Sequence, residues 1–225
     1  LGLKALSQLV NLSEPASAYH LGYVFGPRIN ACGRVGKSDI GMHLLSASDP
    51  IKAGILAQEL EALNITRREI ETSVLLEAIE QVESKPLDTP FIVVEGENWH
   101  QGVVGIVAGR LKDKYNMPVF ALSIEEDEIK GSSRSVQGVD LGTLVMNAIQ
   151  KGILSRGGGH PMAAGFSLKK ENLAAFKEYL KETIKDDMIA NDGTLLEIDA
   201  VLDAQSVTVD LMDKILLMAP FGEAN

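Results

Sequence analysis

The residues able to do chemistry in this chain gather around glycines. In Lys151–Leu168, KGILSRGGGHPMAAGFSL, Gly157, Gly158 and Gly159 run directly into His160. Consecutive glycines let a backbone turn sharply and present N–H groups to one side, which is a way to hold a phosphate. Histidine adds a donor whose charge changes near neutral pH. Three further sets share this character: Arg34 in GPRINACGRVG, His100 with Gln101 ahead of a helix, and Ser133-Arg134 in GSSRS. Arginine beside glycine can grip an anion bidentately, and hydroxyls flanking an arginine form a compact anion-binding set. Each set also has a plainer reading: a tight turn with a core histidine at GGGH, a helix cap at His100, a solvated strand end at GSSRS, and a loop clamp at Arg34. For Arg28, in the same glycine-flanked loop, the clamp is preferred. Four such sets, spread over two expected domains, suggest a phosphorylated ligand held between them.

A catalytic engine is not visible. The histidines His20, His43, His100 and His160 show no HxH or HxxxH spacing, and no Asp and His cluster resembles a metal site. GxSxG, Walker and GxGxxG patterns are missing too. The single cysteine, Cys32, excludes an internal disulfide and a Cys-based zinc site. Net charge is −10, yet residues 95–170 carry nine basic against eight acidic residues, while residues 171–225 carry four against twelve. Acid on the flanks is compatible with a locally basic groove. No apolar run approaches a membrane span and no basic-then-apolar leader opens the sequence, so no membrane partner and a cytoplasmic setting are expected.

Periodicity supplies the elements that must position these residues. Leu1–Leu12 reads as a short helix, and Gly26–Gly36 as a loop. Ser38 or Asp39 could cap a helix through Leu45. Pro50 to about Lys85 is a long helical pattern in which Leu56, Leu60, Leu63, Ile70, Val74, Leu75, Ile79 and Val82 recur, with Arg67, Arg68, Glu69 and Glu71 on the polar side. Roughly 30 helical residues span about 45 Å, which suits a connector between domains. PFIVVEGE, NWHQGVVGIVAGRLKDKY and MPVFALSIE then read as strand, helix, strand, implying a parallel pair. Gly105 and Gly109 share a helix face suited to close packing on the sheet. A hairpin over Phe120–Ser135, a short helix at Asp140–Lys151, a strand ending at Leu168, an amphipathic helix at Glu171–Asp186, a strand at Leu195–Leu202 and a helix at Val209–Met218 complete the order.

The set of motifs resembles the C-terminal part of the RecJ family, single-strand-specific DNA exonucleases of the DHH phosphoesterase superfamily. GPRINACGR resembles the segment closing the family's DHH catalytic domain. NWHQGVVGIVAGRL, GSSRS and GGGHPMAAGFSL resemble successive motifs of the DHH-associated domain. LEIDAVLDA followed by MAPFGEAN resembles the entry into an oligonucleotide-binding domain. The resemblance implies an α/β fold in which a connector helix joins the tail of a DHH domain to a DHH-associated domain with a mixed β-sheet flanked by helices. The implied domains are 1–49, the end of the DHH domain; 50–86, the connector; 87–190, the DHH-associated domain; and 191–225, the start of the oligonucleotide-binding domain. It implies 5′ to 3′ degradation of single-stranded DNA from its 5′ end with two divalent metals, Mn2+ or Mg2+, whose ligands precede Leu1, so this stretch alone is expected to be inactive. Arg34, Ser133, Arg134 and His160 would contact DNA phosphates near the scissile bond, Gly158 and Gly159 would form the backbone cradle, and His100 is a further contact. A single-strand-binding protein and a helicase are implied as partners. Two other readings stay open: a nano-RNA or cyclic-dinucleotide phosphodiesterase, and a non-catalytic nucleic-acid-binding module.

Overall fold

The computed structural model describes residues 1–185 and 198–221. The chain forms two compact units. One holds Leu1–Cys32, Ser38–Glu61 and the segment from Asp192 onward; the other holds Gly33–Lys37 and Ala62–Asn191.

In the first unit, α1 (Gly2–Leu9) and α3 (Asp39–Leu45) pack through Leu6 and Leu44, both fully buried. Between them, the loop expected over Gly26–Gly36 is helical. A π-helical turn, His20–Phe25, leads straight into α2 (Gly26–Val35). Pro27 follows closely on the π-helical turn, and the helical path runs through it. Gly26 is there for closeness rather than for a turn: a Cβ would come 2.8 Å from the Leu21 carbonyl oxygen. Ser38 precedes α3 as expected, without a capping bond from its side chain. Arg28 is a clamp, as expected, donating to both carboxylate oxygens of Glu61 and to the Val24 carbonyl. A helix at Val209–Leu216 is capped by Thr208, whose Oγ accepts from the Leu211 N–H. The strand expected at Leu195–Leu202 falls partly outside the described residues, and its described part is not a strand.

The long helix, α4, runs Pro50–Glu83. This is the long helix expected from Pro50 to about Lys85. Ala53, Ala57 and Leu60 are buried in the first unit, while Val74, Ala78 and Val82 are buried in the second. Glu71, expected on the polar side, is buried, and Arg67 lies beside it. Arg67 and Arg110 both pair with the Glu71 carboxylate, and Arg67 Nη2 donates to Asn64 Oδ1 at 2.7 Å. A buried carboxylate needs such partners.

The second unit is built on one sheet. β1 (Ile92–Glu97), α5 (Gln101–Tyr115) and β2 (Val119–Glu125) give the expected parallel pair, and β3 (Glu128–Arg134) closes a hairpin on β2. Then follow α6 (Leu141–Gln150), β4 (Arg156–His160), β5 (Ala163–Lys169) and α7 (Leu173–Thr183). Strand order is β1-β2-β3-β5-β4, with every pair but the first antiparallel. One face buries Phe120, Leu122, Ile129, Phe166 and Leu168 under α6 and α7; the other buries Val94, Val119 and Ala121 under α5 and the end of α4. Helices on both faces explain why β1 and β2 read as continuous apolar runs.

Candidate functional site

The register of β3, β5 and β4 decides which side chains meet. Arg134 lies opposite Ala163, and Ala163 opposite His160; Ser132 lies opposite Gly165, and Gly165 opposite Gly158. Lys130, Ser167 and Arg156 form a third row in the same way. Residues directly opposite in a ladder share a face. This is the face of α5, because a Cβ at Gly105 would lie 2.9 Å from Ser132 Oγ and 3.4 Å from Arg134 Nη2. The helix covers β2 and β3 and leaves the same face of β5 and β4 open. Toward the Lys130 and Arg156 end of this face is a shallow groove of about 520 Å3, lined by Gln101, Lys130, Ser132, Arg156, Gly165 and Ser167 among others but by neither Arg34, Arg134 nor His160. Its floor is poor in side chains, and strand spacing puts the Arg134 and His160 backbones about 10 Å apart.

Arg34 comes to the same end of the strip. Its Nη1 donates to the Gly102 carbonyl at 3.1 Å, and a Cβ at Gly102 would lie 2.2 Å from the Arg34 carbonyl oxygen. Arg134 donates through Nη1 to the Ser133 carbonyl at 2.8 Å and to Ser132 Oγ at 3.4 Å. Neither arginine pairs with a carboxylate among the described residues. Burial, and after it the charge of Arg34, push the Arg134 guanidinium below the ordinary arginine range. Two neighbouring guanidinium groups without a counter-ion are stabilised by an anion between them. The opposite end of the strip is different: Arg156 faces Glu128 at 3.3 Å and Lys130 faces Glu125 at 3.8 Å.

Both histidines offer the same nitrogen. His100 caps α5, its Nδ1 accepting from the Gly102 N–H at 3.1 Å, and His160 Nδ1 accepts from the Met162 N–H at 3.3 Å. A neutral ring whose Nδ1 accepts carries its proton on Nε2, leaving that atom as the donor to a ligand. The cap expected as an alternative at His100 is therefore present, and the ring is exposed.

Two sequence-based site assignments need correction, and one glycine pair behaves differently at its two members. Ser133 is fully buried on the other face, its Oγ donating to the Ala164 carbonyl at 3.2 Å. It faces away from Arg134 because side chains alternate along a strand. Ser132, which the motif reading passed over, stands beside Arg134 instead. Gly157–Gly159 do not form a turn. They are an exposed edge strand with none of the three at positive φ, and the turn falls at Pro161-Met162. A curled nest of N–H groups is thus not what these glycines provide. Gly159 lets β4 approach β5, since a Cβ would meet the Ala163 carbonyl oxygen at 2.3 Å, while Gly158 faces open space. Gly105 packs closely on the sheet as expected, but Gly109 has nothing within 4 Å of its Cβ position. All seven candidates, Arg34, His100, Ser133, Arg134, Gly158, Gly159 and His160, lie in the second unit. Among the described residues no three His, Cys, Asp or Glu side chains come together as metal ligands.

Residues 88–186, which hold this five-stranded mixed sheet and its glycine-floored strip, match the DHHA1 domain family. Over its whole length the chain is homologous to the single-stranded-DNA-specific exonuclease RecJ. It is 36% identical to RecJ of Bacillus subtilis, covering 100% of this chain and 29% of that protein. It is 33% identical to RecJ of Escherichia coli, covering 99% and 40%. The structure of Thermus thermophilus RecJ in complex with Mn2+ superposes with a TM-score of 0.71 at 30% identity, covering 80% of this chain and 26% of that one. The chain therefore spans well under half the length of these relatives.

Proposed function

We propose that this chain is the substrate-binding part of a longer RecJ-like nuclease that degrades single-stranded DNA from its 5′ end, in DNA repair and recombination. Arg34, Arg134 and Ser132 grip a DNA phosphate near the scissile bond, Nε2 of His160 reaches the backbone across the strip, and His100 adds a donor at the α5 terminus. Gly158 and Gly165 keep the floor flat enough for sugar and base to lie against it. The observation that supports this reading most strongly is the pair of arginines brought together without a carboxylate. Residues 1–49 are read as the end of the DHH catalytic domain and 191–225, of which 198–221 are described, as the start of an oligonucleotide-binding domain. Two Mn2+ or Mg2+ ions, bound by residues outside this chain, activate water in the parent. A single-strand-binding protein and a helicase are its partners, in the cytoplasm; among the described residues no helix is long and apolar enough to cross a membrane.

The test is Arg134→Ala and, separately, His160→Ala in the full-length parent. Loss of one charge-assisted contact should weaken affinity for 5′-phosphorylated single-stranded DNA by about 1.5–3 kcal/mol without a matching loss of folding stability. Unchanged affinity in Arg134→Ala would refute the site.

A further inference from the structure

We infer that Gly102 and Gly105, three residues apart at the start of α5, are positioning residues for the two arginines; this rests on the reading of Arg34 and Arg134 as the phosphate grip. Glycine is the poorest helix former short of proline, so two of them in one helical turn call for a local reason. Gly102 touches backbone. A Cβ there would lie 2.2 Å from the Arg34 carbonyl oxygen, 2.8 Å from its carbonyl carbon and 3.0 Å from its Cα. None of these atoms is the far end of a flexible side chain, so the segment Gly33–Lys37 would have to lift. The Gly102 carbonyl is also the acceptor for Arg34 Nη1. One residue thus sets both the path of the backbone at Arg34 and the direction of its guanidinium. Gly105 touches side-chain ends: Ser132 Oγ at 2.9 Å and Arg134 Nη2 at 3.4 Å. A methyl group there would press Ser132 and Arg134 off the strip. Gly109, one turn further along the same helix, meets nothing within 4 Å and serves as the internal control.

The experiment measures binding of a 3′-labelled, 5′-phosphorylated oligothymidylate to the full-length parent by fluorescence anisotropy, without divalent metal and over a range of salt. Gly102→Ala and Gly105→Ala should each weaken binding at least tenfold. Each should also reduce the slope of log Kd against log salt by about 0.7, the share of one phosphate contact on a single strand. A purely structural role would lower the melting temperature and leave that slope alone. Gly109→Ala should change neither the affinity nor the slope. Wild-type affinity and slope in Gly102→Ala and Gly105→Ala, alongside weakened binding in Arg134→Ala, would overturn the positioning role and leave the site standing. Equal weakening by Gly109→Ala would overturn it as well. Wild-type binding by Arg134→Ala would instead bring down the underlying site. If Gly102→Ala does not fold, Gly105→Ala decides, because its clash is with side-chain ends.

Discussion

Ser132 and Ser133 are neighbours in sequence and stand on opposite faces of β3, which makes them a sharp test of the strip. Ser133 Oγ is buried and donates to the Ala164 carbonyl at 3.2 Å, so Ser133→Ala removes one neutral hydrogen bond from the interior. That should cost about 0.5–1.5 kcal/mol of folding stability and nothing in ligand affinity. Ser132 has no such interior bond; its Oγ lies 3.4 Å from Arg134 Nη1, facing the groove. Ser132→Ala should leave stability nearly unchanged and remove a hydroxyl contact to a charged phosphate, worth about 1.5–3 kcal/mol. In Kd this is a loss of roughly tenfold to 150-fold. Anisotropy titrations with 5′-phosphorylated single-stranded DNA, paired with thermal unfolding of the same variants, separate the two effects. The reasoning fails if Ser133→Ala weakens binding while Ser132→Ala does not, since that would place the opposite face of β3 toward the ligand.

Two further expectations concern the frame and the chemistry. Glu71→Ala leaves Arg67, whose side chain is only 11% exposed, without its carboxylate. The cost should be about 3–5 kcal/mol by urea unfolding. Arg110→Ala removes a partner that is 58% exposed and should cost no more than about 1 kcal/mol. Equal losses would mean that the pair with Arg67 is not what stabilises the buried Glu71 carboxylate. The 225-residue chain alone should not cleave 5′-phosphorylated single-stranded DNA with Mn2+. Robust metal-dependent cleavage would show that a metal centre lies within it.

Much of the fold was legible because its elements carry strong periods. The β1-α5-β2 unit, the hairpin into β3 and the long helix all follow from apolar spacing and turn residues. What was not legible depends on partners distant in sequence. Glu71 looks like one more surface carboxylate until Arg110 arrives from α5 to meet it. Gly26-Pro27 looks like a loop because proline and glycine usually break helices, yet the helical path from His20 to Val35 runs through both. At the candidate site, Ser133 faces away from Arg134 and the three glycines are an edge strand instead of the expected turn. The first was legible: GSSRS ends a strand, and a period of two puts Ser132, not Ser133, on the side of Arg134. The second was not, since three glycines satisfy a turn and an edge strand equally, and only pairing with β5 distinguishes them.

Charge gives the strip a direction. At one end Arg156 and Lys130 are answered by Glu128 and Glu125; at the other Arg34 and Arg134 are answered by carbonyls and a hydroxyl. A phosphate gains most where positive charge is uncompensated, so it is drawn to the arginine end. The chain as a whole, at net charge −10, repels a polyanion at long range. Attraction therefore acts only within about one Debye length, roughly 8 Å in physiological salt. Over that range the placement of two guanidinium groups matters more than the number of basic residues in the domain. That placement rests on a carbonyl at Gly102 and on the space left by the missing side chains of Gly102 and Gly105, which makes the glycines of α5 as much a part of the grip as the arginines.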